Sequence, residues 1–219
     1  MNYFERLLEG CIFEIISHTT PADAVRSTIL SRGFRFPAES DEIWGRFLPA
    51  DYQEIIDKSE FPPVCNTKKE LFFSLCNSPI LLDGGKLSFL LDKHTGKKCF
   101  MIAPRELTIS LGDNSYFWQW KRRPDSRFVN YESDTETEKQ ANTVKLSSGN
   151  IPKMRGDGWM EVELGYFDSK KGDDGPVEAR LLEIKRLHYK GGLIVEGIQF
   201  CPKIIEYTSS EVDMAYLEF

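Results

Sequence analysis

The chain has 219 residues, 41% of them hydrophobic and 28% charged, the balance of a folded globular protein rather than a disordered or fibrous one. That length holds one large domain or two small ones and is enough to bury a core. A formal net charge of −6 argues against binding driven by nucleic-acid phosphates, and no apolar run reaches the span of a membrane helix.

The first third has helical spacing. Between Phe4 and Ser17 the apolar residues Leu7, Leu8, Cys11, Ile12, Ile15 and Ile16 recur at steps of three and four, a continuous helical stripe. Thr19-Thr20-Pro21-Ala22-Asp23 then reads as a helix start, with a Thr cap, Pro at the first helical position and an acid three residues after the cap. The helix that follows carries Ala24, Val25, Thr28 and Ile29, and Gly33 ends it. Ser40-Asp41-Glu42 opens a third helix bearing Ile43, Trp44, Phe47 and Leu48, closed by Pro49. Thr67 to Glu70 is a capping box ahead of Leu71, Phe72, Phe73 and Leu75.

After residue 86 the period changes to two. Leu87, Phe89 and Leu91 alternate, His94-Thr95-Gly96-Lys97 has turn composition, and Cys99, Met101 and Ala103 alternate again, so a hairpin is expected. Leu107 to Leu111, Met160 to Leu164, Leu181 to Arg186 and Leu193 to Phe200 complete the candidate strands. Gly84-Gly85 and Gly191-Gly192 are turn pairs without the lysine and hydroxyl of a phosphate loop. Asn130 to Asn150 is polar, acidic in its first half and without aliphatic periodicity, and reads as a mobile loop. The expected fold class is α+β: helices first, then an antiparallel β region.

The five cysteines, Cys11, Cys65, Cys76, Cys99 and Cys201, are odd in number, widely spaced and without a CxxC pair. That pattern predicts reduced thiols in a cytoplasmic or nuclear protein, not a disulfide framework or a zinc site. Met1-Asn-Tyr-Phe-Glu-Arg meets acid too early for a signal peptide. His18, His94 and His188 have no ligand spacing, so no metal or other cofactor is expected. No G-x-S-x-G elbow accompanies the Ser, His and Asp residues, which leaves an enzyme with little support.

Ser115 to Arg123, SYFWQWKRR, is the densest aromatic stretch. Alternation puts Tyr116, Trp118 and Trp120 on one strand face and Phe117 on the other, and one face must be core.

The helical segment resembles a plant F-box. The matching residues include Phe4, Leu7, Cys11-Ile12, Ile15-Ile16-Ser17, Thr20-Pro21, Asp23-Ala24, Ile43-Trp44 and Phe47-Leu48-Pro49. The resemblance continues through KKELFFSLCNSPILLDGGKLSF, DKHTGKKCFMIAP, LTISLGDNSYFWQW, DGWMEVELGYF and YKGGLIVEGIQFCPK. Together these blocks are similar to the F-box subclass of the phloem protein two family, whose C-terminal half resembles the tobacco lectin Nictaba. The resemblance implies an F-box at 1–50, a helical linker at 51–86, and a jelly-roll-like lectin sandwich at 87–206 with a polar insertion at 130–150. It implies a non-catalytic substrate receptor of a Skp–cullin–F-box ubiquitin ligase, docked on the Skp adaptor and selecting glycan-bearing or protein targets. Partners would then be the adaptor and a glycoprotein, with no nucleic acid and no membrane.

Three departures qualify the pattern. F-boxes usually carry Leu-Pro where this chain has Leu7-Leu8, and lectins of this group carry a tryptophan where it has Leu111. Family members also have further strands between the segments matching Phe128 and Trp159, so central strands of the sandwich are expected to be missing. The alternative is therefore an F-box interaction protein that binds no sugar and competes with full-length receptors. A three-helix unit is too small to bury every apolar residue, so part of Leu7, Ile12, Ile15, Ile16 and Pro21 is expected to face the adaptor. Trp118 sits where the family stacks a sugar, and is either that ring or a core residue. Trp120 and Trp159 read as core or sheet-edge residues. Glu161, Glu163, Glu183, Asp113 and Asn114 read as a solvent face, with acceptance of sugar hydroxyls as the alternative.

Overall fold

The computed structural model describes residues 9–108, 115, 118–121, 123–128, 138–141, 152–167, 193–204 and 211–218. Among the described residues six α-helices come first: α1 (Glu9–Ser17), α2 (Pro21–Leu30), α3 (Arg32–Glu39), α4 (Asp41–Phe47), α5 (Tyr52–Asp57) and α6 (Lys68–Asn77). Ten strands follow among the described residues: β1 (Ile80–Leu82), β2 (Leu87–Leu91), β3 (Lys98–Ile102), β4 (Trp118–Lys121), β5 (Glu138–Ala141), β6 (Lys153–Met154), β7 (Met160–Phe167), β8 (Leu193–Val195), β9 (Gly197–Ile204) and β10 (Glu211–Glu218). Seven strands form one sheet in the order β1-β2-β3-β9-β10-β7-β6, and three form a second, β4-β5-β8. Helices followed by antiparallel sheet fit the α+β class. The chain divides into two compact units, Met1–Ile80 with Phe89–Cys99, and Leu81–Ser88 with Phe100–Phe219.

The first unit is held by helix caps read straight from the sequence. Thr20 Oγ1 accepts a hydrogen bond from the Asp23 N–H at 3.1 Å and donates one to Asp23 Oδ2 at 2.9 Å, with Pro21 at the start of α2. Thr67 Oγ1 accepts from the Glu70 N–H at 3.1 Å, and Glu70 Oε2 reaches back to accept from the Asn66 N–H at 2.9 Å. Helix α3 lies where no helix was expected. Gly33 does not end α2: Ser31 ends it and opens α3, its Oγ accepting from the Gly33 N–H at 3.1 Å. Gly33 and Pro37, both poor helix residues, hide α3 in the sequence. Tertiary burial of Phe34, Pro37 and Ala38 overrides that propensity. Ser40 in turn ends α3 and caps α4.

Two clusters fill the helical unit. Ile12, Ile16, Ala24, Phe34, Ala38 and Ile43 make one. The other gathers on Trp44, whose ring lies 5.5 Å from Phe47 and 5.2 Å from both Phe72 and Phe73. The indole N–H donates to the Ala38 carbonyl at 2.8 Å, satisfying the ring's one polar group. The β2–β3 turn belongs to this unit at residues 92–97. Asp92 Oδ1 accepts from the His94 and Thr95 backbone N–H groups at 3.2 and 2.7 Å. Gly96 there has φ +71°, and a Cβ on it would stand 2.8 Å from the Phe47 carbonyl oxygen and 3.3 Å from the Phe72 ring. Lys98, at the start of β3, donates to Asp51 Oδ2 at 2.9 Å, and that bond holds the Asp51 carboxyl below its usual range.

In the second unit β9 pairs with β3 through Phe100↔Phe200 and with β10 through Ala215↔Phe200. Gly197 opens β9 where a side chain would meet the Ile102 carbonyl oxygen and the Met101 side chain. Strand β10 lies beyond residue 206, where the expected β region stopped, and separates β9 from β7. A strand also crosses the stretch expected to be a mobile loop: β5 pairs Glu138–Ala141 with β4 and β8. The expected strands at Leu107–Leu111 and Leu181–Arg186 lie, for residues 109–111 and 181–186, outside the described residues. Cys99 and Cys201 are disulfide-bonded, while Cys11, Cys65 and Cys76 are free. That corrects the expectation of reduced thiols throughout, because wide sequence spacing says nothing about strand neighbours.

Glu196, between β8 and β9, is fully buried, and its Oε1 accepts from the Arg127 N–H at 2.7 Å. Arg127 extends to Gln199, donating to Oε1 at 2.6 Å. The buried carboxylate thus ties segment 123–128, which carries buried Ser126 and Phe128, to β9.

Two substitutions test these anchors. Gly96→Ala is expected to destabilise the helical unit by roughly 2 kcal/mol, from the left-handed backbone and the crowding at a fixed carbonyl; chemical denaturation followed by helical circular dichroism measures it. Glu196→Ala is expected to cost about 1–3 kcal/mol, because the Arg127 N–H loses its side-chain acceptor. Tryptophan fluorescence during denaturation reads that loss, and Glu196→Gln is expected to recover part of it.

Candidate functional site

The expected adaptor stripe divides sharply in the structure. Ile12 is 2% exposed, Ile16 is fully buried and Pro21 is buried, so these three pack the helical core. They face inward because α1 lies across α3 and α4, and the α1 stripe is the surface those helices cover. Ile15 alone among the described members presents substantial surface, at 47%. Leu7 lies outside the described residues.

Other apolar side chains take the exposed role. Val25, Ile29 and Leu30 on α2 and Phe36 on α3 all project into solvent, Ile29 at 85% and Phe36 at 73%. Val25 and Ile29 sit one helical turn apart on the same face. The reason lies in how α2 packs: its buried positions are Pro21, Ala24 and Ser27, all small, so the helix approaches its neighbours closely and turns its bulky residues outward. A sequence reading that sorts residues by hydrophobicity alone places Val25 and Ile29 in the core. The signal available was the spacing of Pro21, Ala24 and Ser27 at steps of three. Exposed apolar residues concentrated on adjacent helices mark an interaction surface.

Charged groups on these helices pair with one another. His18 Nε2 lies 3.0 Å from Glu14 Oε1, and Arg26 donates to Asp23 Oδ1 at 3.0 Å. The bonds from Thr20 and then Arg26 hold the Asp23 carboxyl below its ordinary range. A surface cavity of about 540 Å³ is lined by residues that include Glu39, Lys69, Glu70 and Phe73. Its lysine is engaged, with Lys69 Nζ 2.5 Å from Glu39 Oε1. Burial pushes the Cys76 thiol up to about 12, which keeps it protonated and unreactive. Among the described residues no group of three His, Cys, Asp or Glu side chains gathers to hold a metal, and no helix is long and apolar enough to cross a membrane.

In the second unit Trp118 opens β4, its backbone paired with Ala141, while its side chain lies outside those described. Trp120, two residues on, is half-buried beneath Arg105, whose guanidinium carbon stands 4.4 Å from the ring centre. Trp159 is buried, with Arg123 at 5.4 Å from its ring and its indole N–H donating to the Asp125 carbonyl at 3.3 Å. Arg123 also grips Asp125 through two bonds, at 2.9 and 2.6 Å, and so holds that carboxyl below its usual range. Glu161 and Glu163 are half-buried along β7. Glu183, Asp113, Asn114, Leu111 and His188 lie outside the described residues. The arrangement offers rings packed against cations.

Comparison with known proteins bears on both units. The Phloem protein 2 family matches residues 97–133 and 129–202. F-box protein PP2-B10 of Arabidopsis thaliana is 34% identical over 258 aligned positions that take in 91% of this chain and 94% of that protein. Putative F-box protein PP2-B12 of Arabidopsis thaliana is 33% identical, over 93% of this chain and 99% of that one. F-box protein SKIP3 of the same plant is 32% identical, over 92% and 90%. No solved structure matches the chain. Similarity of this depth runs through the helices and the β region alike, and the chain belongs to the plant family of F-box proteins that carry a phloem protein 2 domain.

Proposed function

We propose that this chain is the substrate-receptor subunit of a Skp–cullin–F-box ubiquitin ligase. Its helical unit docks the Skp adaptor and its β unit recruits the target, glycosylated or not. The observation that carries this reading is the exposed apolar set Ile15, Val25, Ile29, Leu30 and Phe36 on the first three helices, in a chain whose relatives are named F-box proteins. Ile12, Ile16 and Pro21 act from beneath, fixing the helix positions. The receptor performs no bond chemistry. It holds a target lysine near the ubiquitin-charged enzyme and so raises effective concentration. The jelly-roll reading of the β unit, its lectin role, and residence in cytoplasm and nucleus belong to the same proposal.

A second reading is favoured by one observation about length. The alignment with PP2-B10 spans 258 positions against the 219 residues of this chain, so that relative has residues with no counterpart here. The family match also falls into two pieces that meet at residues 129–133. A β unit shortened at that point can lose its sugar site while the helices still dock. The protein then competes with full-length receptors for the adaptor.

One experiment tests the docking that both readings share, and a second divides them. Ile29→Asp combined with Phe36→Asp is expected to leave the melting temperature unchanged, since both side chains are largely in solvent, and to weaken adaptor pull-down about tenfold or more. Undiminished pull-down removes the docking proposal in both forms. Ile12→Asp is not an equivalent test, because a charge in that core unfolds the unit. On a glycan array the lectin form of the receptor reading expects binding that disappears in Trp118→Ala, while the competitor reading expects no signal from the parent chain.

A further inference from the structure

A second exposed apolar feature lies between α5 and α6, apart from the docking helices. Residues 61–64 read Phe-Pro-Pro-Val. Phe61 is 65% exposed and Val64 98%; Pro62 is exposed and Pro63 half-buried. A large aromatic and a β-branched residue left in water within four positions, with two prolines between them, contribute little to the helical core.

The backbone of this segment is restricted from three sides. Proline fixes φ near −65° at Pro62 and Pro63. A following proline drives Phe61 and Pro62 away from the helical region toward extended or polyproline II conformations. No strand or helix includes residues 62–65. Both ends are pinned. The Ser59 N–H donates to the Ile56 carbonyl at 2.9 Å and the Phe61 N–H to Ser59 Oγ at 3.3 Å. On the far side the Asn66 N–H donates to Glu70 Oε2 at 2.9 Å, and Thr67 caps α6. The segment is therefore a short extended peptide held open by its host, with little conformational freedom left to lose on binding.

We infer that Phe61-Pro62-Pro63-Val64 is a docking peptide for a protein domain of the proline-recognising class, one whose groove is lined by aromatic side chains. Such grooves accept a preformed extended helix of prolines and take specificity from flanking side-chain pockets. Phe61 and Val64 fill those pockets. Charge narrows the partner further. Glu54, Asp57 and Glu60 precede the motif against Lys58 alone, so the rim of the groove is basic. The site does not rest on the adaptor proposal, and no residue is shared with it.

Surface plasmon resonance of the full chain over immobilised SH3, WW and EVH1 domains tests the inference. Expected is binding to at least one of them that weakens as salt rises and falls about tenfold in Phe61→Ala and in Val64→Asp, with melting temperatures and adaptor pull-down equal to those of the parent. Retention on none of the domains, or equal retention of the Phe61→Ala chain, overturns it. Loss of adaptor pull-down in the same variant also overturns it, by placing the segment in the adaptor interface.

Discussion

The helical unit depends on a size mismatch across α2. Its inward positions are Pro21, Ala24 and Ser27, and its outward ones include Val25, Ile29 and Leu30. Small residues allow close helix approach, so the core can be completed by long side chains from α1 and α3, chiefly Ile12, Ile16 and Phe34. Ile12 and Ile16 of the α1 stripe are consumed in filling that space, while Ile15 stays exposed. The other large exposed apolar residues of these three helices lie on α2 and α3. Core and exposed apolar face are two results of one packing choice.

How much of this was visible in the sequence differs by element. Caps were legible because they are local chemistry: Thr20, Ser40 and Thr67 each bond the backbone within three residues. The β2–β3 hairpin was legible because alternation and turn composition agree over Leu87 to Ala103. Helix α3 was not, since Gly33 and Pro37 oppose it locally and its support comes from burial together with the Ser31 cap. Strand β10 carries an alternating Val212, Met214 and Tyr216, a signal present beyond the limit set at residue 206. Strand β5, Glu-Lys-Gln-Ala, has no such signal, and its place comes from pairing with β4 and β8. The site residues suffered most, because which face of a helix meets solvent is decided by neighbours far away in sequence.

The β unit shows the same dependence on non-local pairing. Strand β9 lies between β3 and β10, and its first residue is a glycine lying where a side chain would strike the Ile102 carbonyl. Immediately before it, Glu196 carries a buried carboxylate to the backbone of Arg127, 69 positions earlier. Neither role is announced by the local sequence Val-Glu-Gly-Ile, which reads as an ordinary strand with an exposed acid. An ionisable group buried at a turn is retained when it joins segments that would otherwise part.

Ser31 and Ser40 each close one helix and open the next. Helices α2, α3 and α4 consequently share their end residues and have no slack between them. A linker of even two or three free residues would let each helix swing about its neighbour; here the crossing geometry is written into single side-chain hydroxyls. The platform they form is shaped in advance, and its length is closed to insertion or deletion at both junctions.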